Sequence, residues 1–243
     1  MNRCSKLFAV GAVLILGTAF AAADTILLGS YATSPGTNPG GFGNTATSFS
    51  PTTPSGITPF TGAGFPTGTQ PGNGGTGTVI LSNVTPVWAG PLGSSEWISY
   101  AQTGPGTPAM NPPNGNYYFV STFSTLPGET YTGSISVLAD DSVAVFLNGV
   151  LQNTPTDPGG FPHCSAGVPN CLISTTVTFN SANFLSGMNT LVFQDIQGAV
   201  IDLGIDYNGS ITGSGAVPEP SSLILLGTGL IGSAGALLRR RRA

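Results

Sequence analysis

The chain has 243 residues, with 10 acidic and 6 basic side chains and a formal net charge of −4. Charged residues make up 7% of the sequence, whereas an average soluble domain carries about 25%. The 36 glycines and 20 prolines interrupt helices, so the composition excludes a helix bundle. The length suits one large all-β domain with flanking segments.

The charged residues are segregated along the chain. All six basic residues lie near its two ends: Arg3, Lys6, Arg239, Arg240, Arg241 and Arg242. Residues 25–217 contain neither Lys nor Arg but hold eight acids: Glu96, Glu129, Asp140, Asp141, Asp157, Asp195, Asp202 and Asp206. A nucleic acid is therefore not an expected partner, because its phosphates would meet acids and no cations.

Residues 1–23 have the order of parts found in a secretory signal peptide. Arg3 and Lys6 precede an apolar run over residues 7–20, and small residues follow up to Ala23. Signal peptidase removes segments of this kind. The alternative is a retained N-terminal membrane anchor, but the short apolar run and the alanine-rich end favour cleavage.

A second three-part pattern occupies residues 217–243. Pro218, Glu219 and Pro220 precede an apolar run over residues 221–238, and four arginines follow: Arg239, Arg240, Arg241 and Arg242. As a helix the run would reach roughly 27 Å, enough for a short membrane crossing. The arginines are expected to stay cytoplasmic, with everything before Pro218 on the outer side.

This tail resembles the PEP-CTERM sorting signal of Gram-negative bacteria, whose box is Pro218-Glu219-Pro220 here. The resemblance implies an exosortase-type membrane protease as a partner, in hosts that typically make exopolysaccharide. It also implies an inner-membrane anchor before processing and a cell-surface or extracellular location afterwards. The tail is also known as an ice-binding protein C-terminal domain, a label that carries no evidence of ice binding.

The segment between the two ends has the pattern of β-structure. Residues 24–77 are rich in Gly, Pro and Thr, which predicts a partly ordered lead-in with one strand near residues 26–31. Isolated phenylalanines at 42, 49, 60 and 65 indicate that parts of it fold back onto a core. Residues 78–214 are predicted to form an antiparallel β-sandwich or jelly roll, with strands over 78–81, 96–101, 116–125, 130–139, 142–147, 174–180, 189–195 and 201–207.

Residues 134–149 are predicted to form two strands joined at Asp140-Asp141 and ended by the turn residues Asn148-Gly149, which indicate a hairpin. Further on, Gly187-Met-Asn-Thr-Leu191 begins another apolar strand. This order resembles galactose-binding-like jelly-roll modules of bacterial surface proteins and glycosidases, over about residues 78–212. The resemblance implies glycan binding through loops at one end and, in some members, a structural Ca²⁺.

Cys164 and Cys171 lie in a Pro/Gly-rich loop of a segment predicted to be exported. A disulfide between them is expected, because such bonds persist outside the cytoplasm. His163 leaves a metal site open as the alternative.

Asp140 and Asp141 are candidate Ca²⁺ ligands, since that ion prefers oxygen donors. The alternative is that aspartates at a strand junction satisfy their own backbone. No Asp-x-Asp-x-Asp-Gly loop is present. No other cofactor is expected.

Of the two tryptophans, Trp97 is expected in the core. Trp88, between Pro86 and Pro91, is the candidate for an exposed sugar-binding ring.

Residues 25–217 contain one His, no Lys or Arg and no Gly-x-Ser-x-Gly motif, so no enzymatic activity is expected. The predicted function is an exported surface or extracellular-matrix protein, associated with exopolysaccharide or the envelope. The alternative is a lectin-like carbohydrate-binding module with or without Ca²⁺. A hydrolase would need a carboxyl pair flanking a cleft, for which Asp140 and Asp141 are the candidates.

Overall fold

A computed structural model describes residues 23–106, 111–155, 169–198 and 201–214, together with the helical residues 227, 229 and 230. Residues 23–215 group into one compact unit. Within the described ranges no helix is both long and apolar enough to cross a membrane. Most of the predicted signal peptide and most of the predicted sorting helix lie outside those ranges.

Strands separated by turns and loops dominate the compact unit, because its apolar residues occur in runs that turn residues interrupt. Its described residues contain eleven strands: β1 Thr25–Gly29, β2 Ser48–Ser50, β3 Val79–Ile80, β4 Ile98–Ser99, β5 Gly115–Thr125, β6 Thr130–Asp140, β7 Ser142–Leu147, β8 Val150–Leu151, β9 Thr175–Phe179, β10 Gly187–Gln197 and β11 Gly204–Ser214. One 3₁₀ turn, Ser181–Asn183, is the only helical element described there.

The strands form two sheets. Sheet 1 has the order β3-β4-β11-β6-β9, with β1 also paired to β11, and sheet 2 has the order β2-β5-β10-β7-β8. All of these strand pairs are antiparallel. The predicted all-β antiparallel architecture is confirmed.

The main core lies between the two sheets and contains side chains from both. Leu191 and Phe193 of β10 point into it from sheet 2, and Ile205 and Tyr207 of β11 enter it from sheet 1. The rings of Phe193 and Tyr207 stack with their centroids 4.3 Å apart. Since residues 25–217 have no Lys or Arg, stability depends on this burial and on the strand hydrogen bonds. Each fully buried side chain of this kind contributes roughly 1.5–3 kcal/mol.

The lead-in supplies a strand to each sheet. β1 pairs with β11, and β2 pairs with β5. Phe49 of β2 is buried against Phe119, with ring centroids 5.6 Å apart. Phe60 covers the outer face of sheet 2, where its N–H donates to Gln194 Oε1 at 2.7 Å. The phenylalanines therefore fold back onto the sandwich at these two positions.

Two turns expected from the sequence are present. β7 and β8 form a hairpin in which Leu147 pairs with Val150. Its turn residues, Asn148 and Gly149, have φ angles of 51° and 86°. The junction Asp140-Asp141 carries the chain from β6 in sheet 1 to β7 in sheet 2, through a cis peptide bond.

Candidate functional site

The candidate site lies where the chain crosses between the sheets. Asp140 pairs with Gly204 of β11, and Ser142 pairs with Ile196 of β10. The junction therefore lies at one end of the core, between the two sheets. Asp140 and Asp141 are buried, with exposures of 2% and 1%. Asp141 accepts a hydrogen bond from the Gly198 N–H at 2.8 Å.

Asp195 of β10 lies on the inner side of the sandwich. Leu191 and Phe193 belong to the core, and the alternation of a strand places Asp195 on the same face. Its paired neighbours, Tyr117 and Val143, are core residues as well. Asp195 has 0% exposure, and neither carboxylate oxygen accepts a well-aligned hydrogen bond from the described residues.

Burial raises the pKa of Asp195 well above its ordinary value, and the charges of Asp140 and Asp141 raise it further. The backbone N–H of Ile196 lowers this pKa only in part. The cause is physical: a carboxylate removed from water, close to two other acids, loses hydration without gaining a positive neighbour.

Gln197 follows Asp195 on the same face of β10. Its Nε2 donates a hydrogen bond to the carbonyl oxygen of Asp202. Its Oε1 is buried and has no donor among the described residues. Among the described residues, Asp195 and Gln197 therefore contribute three oxygens without a donor at this end of the core, and Ser142 Oγ at the junction is a further buried oxygen without a hydrogen-bond partner.

These side chains offer oxygen donors only, which suits Ca²⁺ better than soft metals. In the described ranges, however, no three His, Cys, Asp or Glu side chains are placed so that they could hold a metal ion together.

Asp206 is a buried acid of a different kind. It accepts hydrogen bonds from Ser30 Oγ at 2.8 Å, from Ser95 Oγ and from the Leu92 N–H at 2.6 Å. Burial raises its pKa, while these hydrogen bonds lower it in part. Asp206 therefore has a structural role, which is to fasten residues 92–95 to β11.

The two tryptophans pack together on the outer face of sheet 1, with ring centroids 4.5 Å apart. Trp97 has 1% exposure and donates to the Ala89 carbonyl at 3.0 Å. Trp88 has 2% exposure. The expectation of an exposed Trp88 ring is therefore wrong. The outer face carries apolar Leu138, and the segment that contains Trp88 covers it.

Cys171 is fully buried and disulfide-bonded. Cys164 and His163 lie outside the described residues, so the pairing of Cys164 with Cys171 stays a prediction. The same holds for the roles of the sorting residues, which lie in ranges the structure leaves undescribed: Pro218, Glu219, Pro220, Arg239, Arg240, Arg241 and Arg242.

Sequence reasoning found Asp140 and Asp141 but missed Asp195 and Gln197. A signal for both was present, because they continue the inward-facing phase of Leu191 and Phe193 along β10. A polar residue in the core phase of a strand needs a partner, and this rule would have selected Asp195.

A shallow recess lies at the other end of the sandwich, between β1 and β5. Its volume is about 400 Å³, and none of the described residues that line it has a titratable side chain. Thr45 and Thr122 place their hydroxyl oxygens 3.2 Å apart at the surface there. Leu27 and Met188, also in the lining, have exposures of 45% and 69%.

Comparison with known proteins gives one family match, to the PEP-CTERM protein-sorting motif over residues 216–242. No curated protein matches the chain. Among solved structures, the chain is similar to an exo-β-1,3-galactanase from Phanerochaete chrysosporium, with 20% identity and a TM-score of 0.27. That likeness covers 56% of this chain and 26% of the galactanase, about a quarter of its length.

The motif implies an exported protein that is anchored in a membrane and then processed by exosortase. The predicted sorting signal is confirmed: the chain carries a PEP-CTERM protein-sorting motif at its C-terminal end.

Proposed function

We propose that the chain is an exported surface or extracellular-matrix protein without enzymatic activity, associated with exopolysaccharide or another envelope component. The observation that carries this proposal is the sorting motif over residues 216–242. The placement of the acids supports a non-enzymatic role. A catalytic carboxyl pair must flank a cleft, whereas Asp195 and Asp206 are fully buried.

The charge pattern favours a neutral partner. Residues 25–217 contain eight acids and no Lys or Arg, so an anionic polymer would be repelled at long range. A neutral polysaccharide meets no such barrier, and its hydroxyl groups can both donate to and accept from uncharged surface groups.

Sorting is tested by replacing Pro218, Glu219 and Pro220 together with alanine and following pulse-labelled protein in its native host. The wild type is expected to shift from a longer membrane form to a shorter exported form, and the variant is expected to remain in the longer form. Alanine at the exposed residues Pro113 and Pro127 is the control, and should leave processing unchanged. Normal processing of the triple variant would contradict the proposal.

A carbohydrate-binding module is the second candidate, favoured by the recess between β1 and β5. Its exposed threonine hydroxyls lie beside apolar Leu27 and Met188. Sugars bind to surfaces of this mixed kind, because a pyranose ring has an apolar face and a hydroxyl edge. Glycan-array binding that is lost in Thr122→Val supports this candidate, and no binding with or without chelator favours the matrix role.

A hydrolase is a third class with a separate test. It requires turnover of a polysaccharide that disappears when Asp140 and Asp141 are neutralised. Turnover with this dependence would overturn the non-enzymatic proposal.

A further inference from the structure

The edge strands of the two sheets differ in how they are closed. β2, β3 and β8 are edge strands of only two or three residues. β1 is longer, but a later segment covers its free edge. The Gly43 N–H donates to the Leu27 carbonyl at 2.7 Å, and the Asn44 amide bonds both backbone groups of Gly29 at 3.0 Å. β9 is the remaining edge strand of the described ranges.

β9 has an open outer edge. It pairs with β6 over five residues, and no other described strand pairs with it. Within the described ranges, no segment forms a backbone hydrogen bond to its free side. Alternate residues of an antiparallel strand direct their N–H and C=O groups away from the paired neighbour. β9 therefore presents backbone donors and acceptors to solvent, and the side chains of Thr176 and Thr178 beside them are exposed.

This open edge lacks the usual protection against pairing with another strand. Proteins ordinarily protect an edge with Lys, Pro, an inward-pointing charge or a β-bulge. Residues 172–184 contain no charged residue and no Pro, and β9 follows β6 in an unbroken register. Leu172 and Ile173, just before β9, have exposures of 54% and 60%. The edge is therefore neutral and flat, with apolar side chains next to it.

The sequence of β9 is suited to pairing with itself. An antiparallel pair centred on Val177 would place Thr176 of each copy opposite Thr178 of the other. Two Thr–Thr pairs would then form on the outer face, and such cross-strand pairs stabilise a sheet. On the inner face, Val177 would meet the same residue of the second copy. No like charges would face each other, because the strand carries none.

We propose that β9 is a self-association edge, at which two copies of the chain pair β9 with β9 antiparallel and so join their copies of sheet 1. The neighbouring edge of sheet 2 lies on the same side, because the Asn180 N–H donates to Gln152 Oε1 at 3.2 Å. That edge adds the apolar side chains Val150 and Leu151, with exposures of 48% and 37%. The pairing does not depend on whether the protein associates with polysaccharide.

The first test measures the mass of the exported protein by analytical ultracentrifugation over a range of concentrations. The wild type is expected to pass from the monomer mass to twice that mass, and the β9 amides should exchange hydrogen more slowly in the dimer. A wild type that is still monomeric at about 1 mM, where even a weak complex is populated, would overturn the proposal. Association without slower exchange in β9 would also overturn it, because another surface would then join the copies.

The second test places charges on the exposed side of β9. Thr176→Lys with Thr178→Lys puts like charges opposite each other at both Thr–Thr pairs, and Thr176→Asp with Thr178→Asp does the same with the other sign. Each double variant alone is expected to dimerise at least about tenfold more weakly than the wild type. An equal mixture of the two should dimerise, because each Lys then faces an Asp. Wild-type dimerisation of either variant alone, or a monomeric mixture, contradicts the assigned pairing. If a variant fails to fold, the exchange measurement on the wild type still decides.

Thr130→Lys with Thr132→Lys is the matched control. These threonines are also exposed and lie two residues apart on β6, on the outer face opposite the core residue Tyr131. β9 pairs only with residues 133–137 of β6, so the added charges lie beside the edge strand and not on it. The control should dimerise as the wild type does. A loss as large as that of the β9 variants would show that added charge on sheet 1 blocks association in general, and would overturn the assignment to the edge.

Discussion

Asp206→Asn tests whether the buried carboxyl on β11 fastens residues 92–95 to sheet 1. The substitution keeps an oxygen that can accept from Ser30 and Ser95 but places an amide N–H₂ opposite the Leu92 N–H, which now bonds Asp206 at 2.6 Å. Two donors then face each other. Leaving a buried donor unsatisfied costs about 1–3 kcal/mol, equivalent to a Tm decrease of roughly 2–12 °C for a domain of this size.

The stability difference between the wild type and Asp206→Asn should depend on pH in a defined direction. Burial raises the pKa of Asp206 above its ordinary value, so the folded wild type holds a proton that the unfolded chain releases. The stability that this bound proton adds to the folded wild type is fully present below the pKa of the unfolded chain, about 3.9. It is lost as the pH rises through the pKa of the folded protein. The asparagine of the variant does not titrate, so the difference between the two proteins should be largest in acid and shrink toward neutral pH.

The assay is thermal unfolding of both proteins across that pH range, with Asp24→Asn as the control. Asp24 accepts one partly buried hydrogen bond, from the Tyr131 hydroxyl at 3.1 Å, so its loss should be smaller than that of Asp206→Asn. A destabilisation that grows as the pH rises would refute the reasoning. It would mean that the three donors lower the pKa of Asp206 more than burial raises it.

Two further predictions concern the outer face of sheet 1 and the β7–β8 hairpin. Trp97→Phe should lower the free energy of unfolding by about 1 kcal/mol more than Trp88→Phe, because only Trp97 loses an indole hydrogen bond that the described residues provide. Urea unfolding measures the difference. A larger loss in Trp88→Phe would contradict the packing. Gly149→Ala should destabilise more than Gly128→Ala in the same assay. Both positions have positive φ, but a Cβ at 149 would collide with the Gly56 carbonyl oxygen, whereas a Cβ at 128 meets nothing within 4 Å. Equal losses would show that residue 56 is not held against the turn.

Four of the longer strands were predictable because each coincides with an uninterrupted run of apolar or alternating residues. β5, β6, β7 and β10 begin and end within about two residues of the predicted runs, and their apolar positions alternate with polar ones or fill both faces. The sequence pattern does not predict β2 and β8, which have three and two residues. β3 and β4 have only two residues each as well, but they lie inside longer predicted runs, over residues 78–81 and 96–101, whereas β2 and β8 lie in no such run.

β11 shows the same limit in a longer strand. The sequence pattern predicts it over residues 201–207, but it runs over Gly204–Ser214. Its second half, from Asn208 onward, is small and polar apart from Ile211. It is held as a strand because β1 pairs with it on one side and β6 on the other. A strand that is held by pairing on both sides need not show a periodic pattern in its own sequence.

The candidate site was predictable only in part. The Asp140-Asp141 junction is visible because it interrupts an apolar run, whereas Asp195 looks like the polar end of a strand. Its inward phase, shared with Leu191 and Phe193, is visible in the sequence, but its complete burial follows from the covering of both faces of β10, by the main core on one side and by Phe60 and Ile57 on the other. The burial of Trp88 likewise depends on tertiary packing, because the proline-flanked loop that carries this residue covers sheet 1.

The pairing of β1 with β11 has a consequence for the order of events during export. β1 comprises residues 25–29, and its ladder partner is β11, which ends at Ser214. A chain that is translocated from its N-terminus therefore delivers β1 first and its partner last. Until β11 arrives, Ile26 and Leu28 cannot take their core positions. Sheet 1 can therefore be completed only after nearly the whole domain has been translocated. Until then, β1 must not pair with other strands.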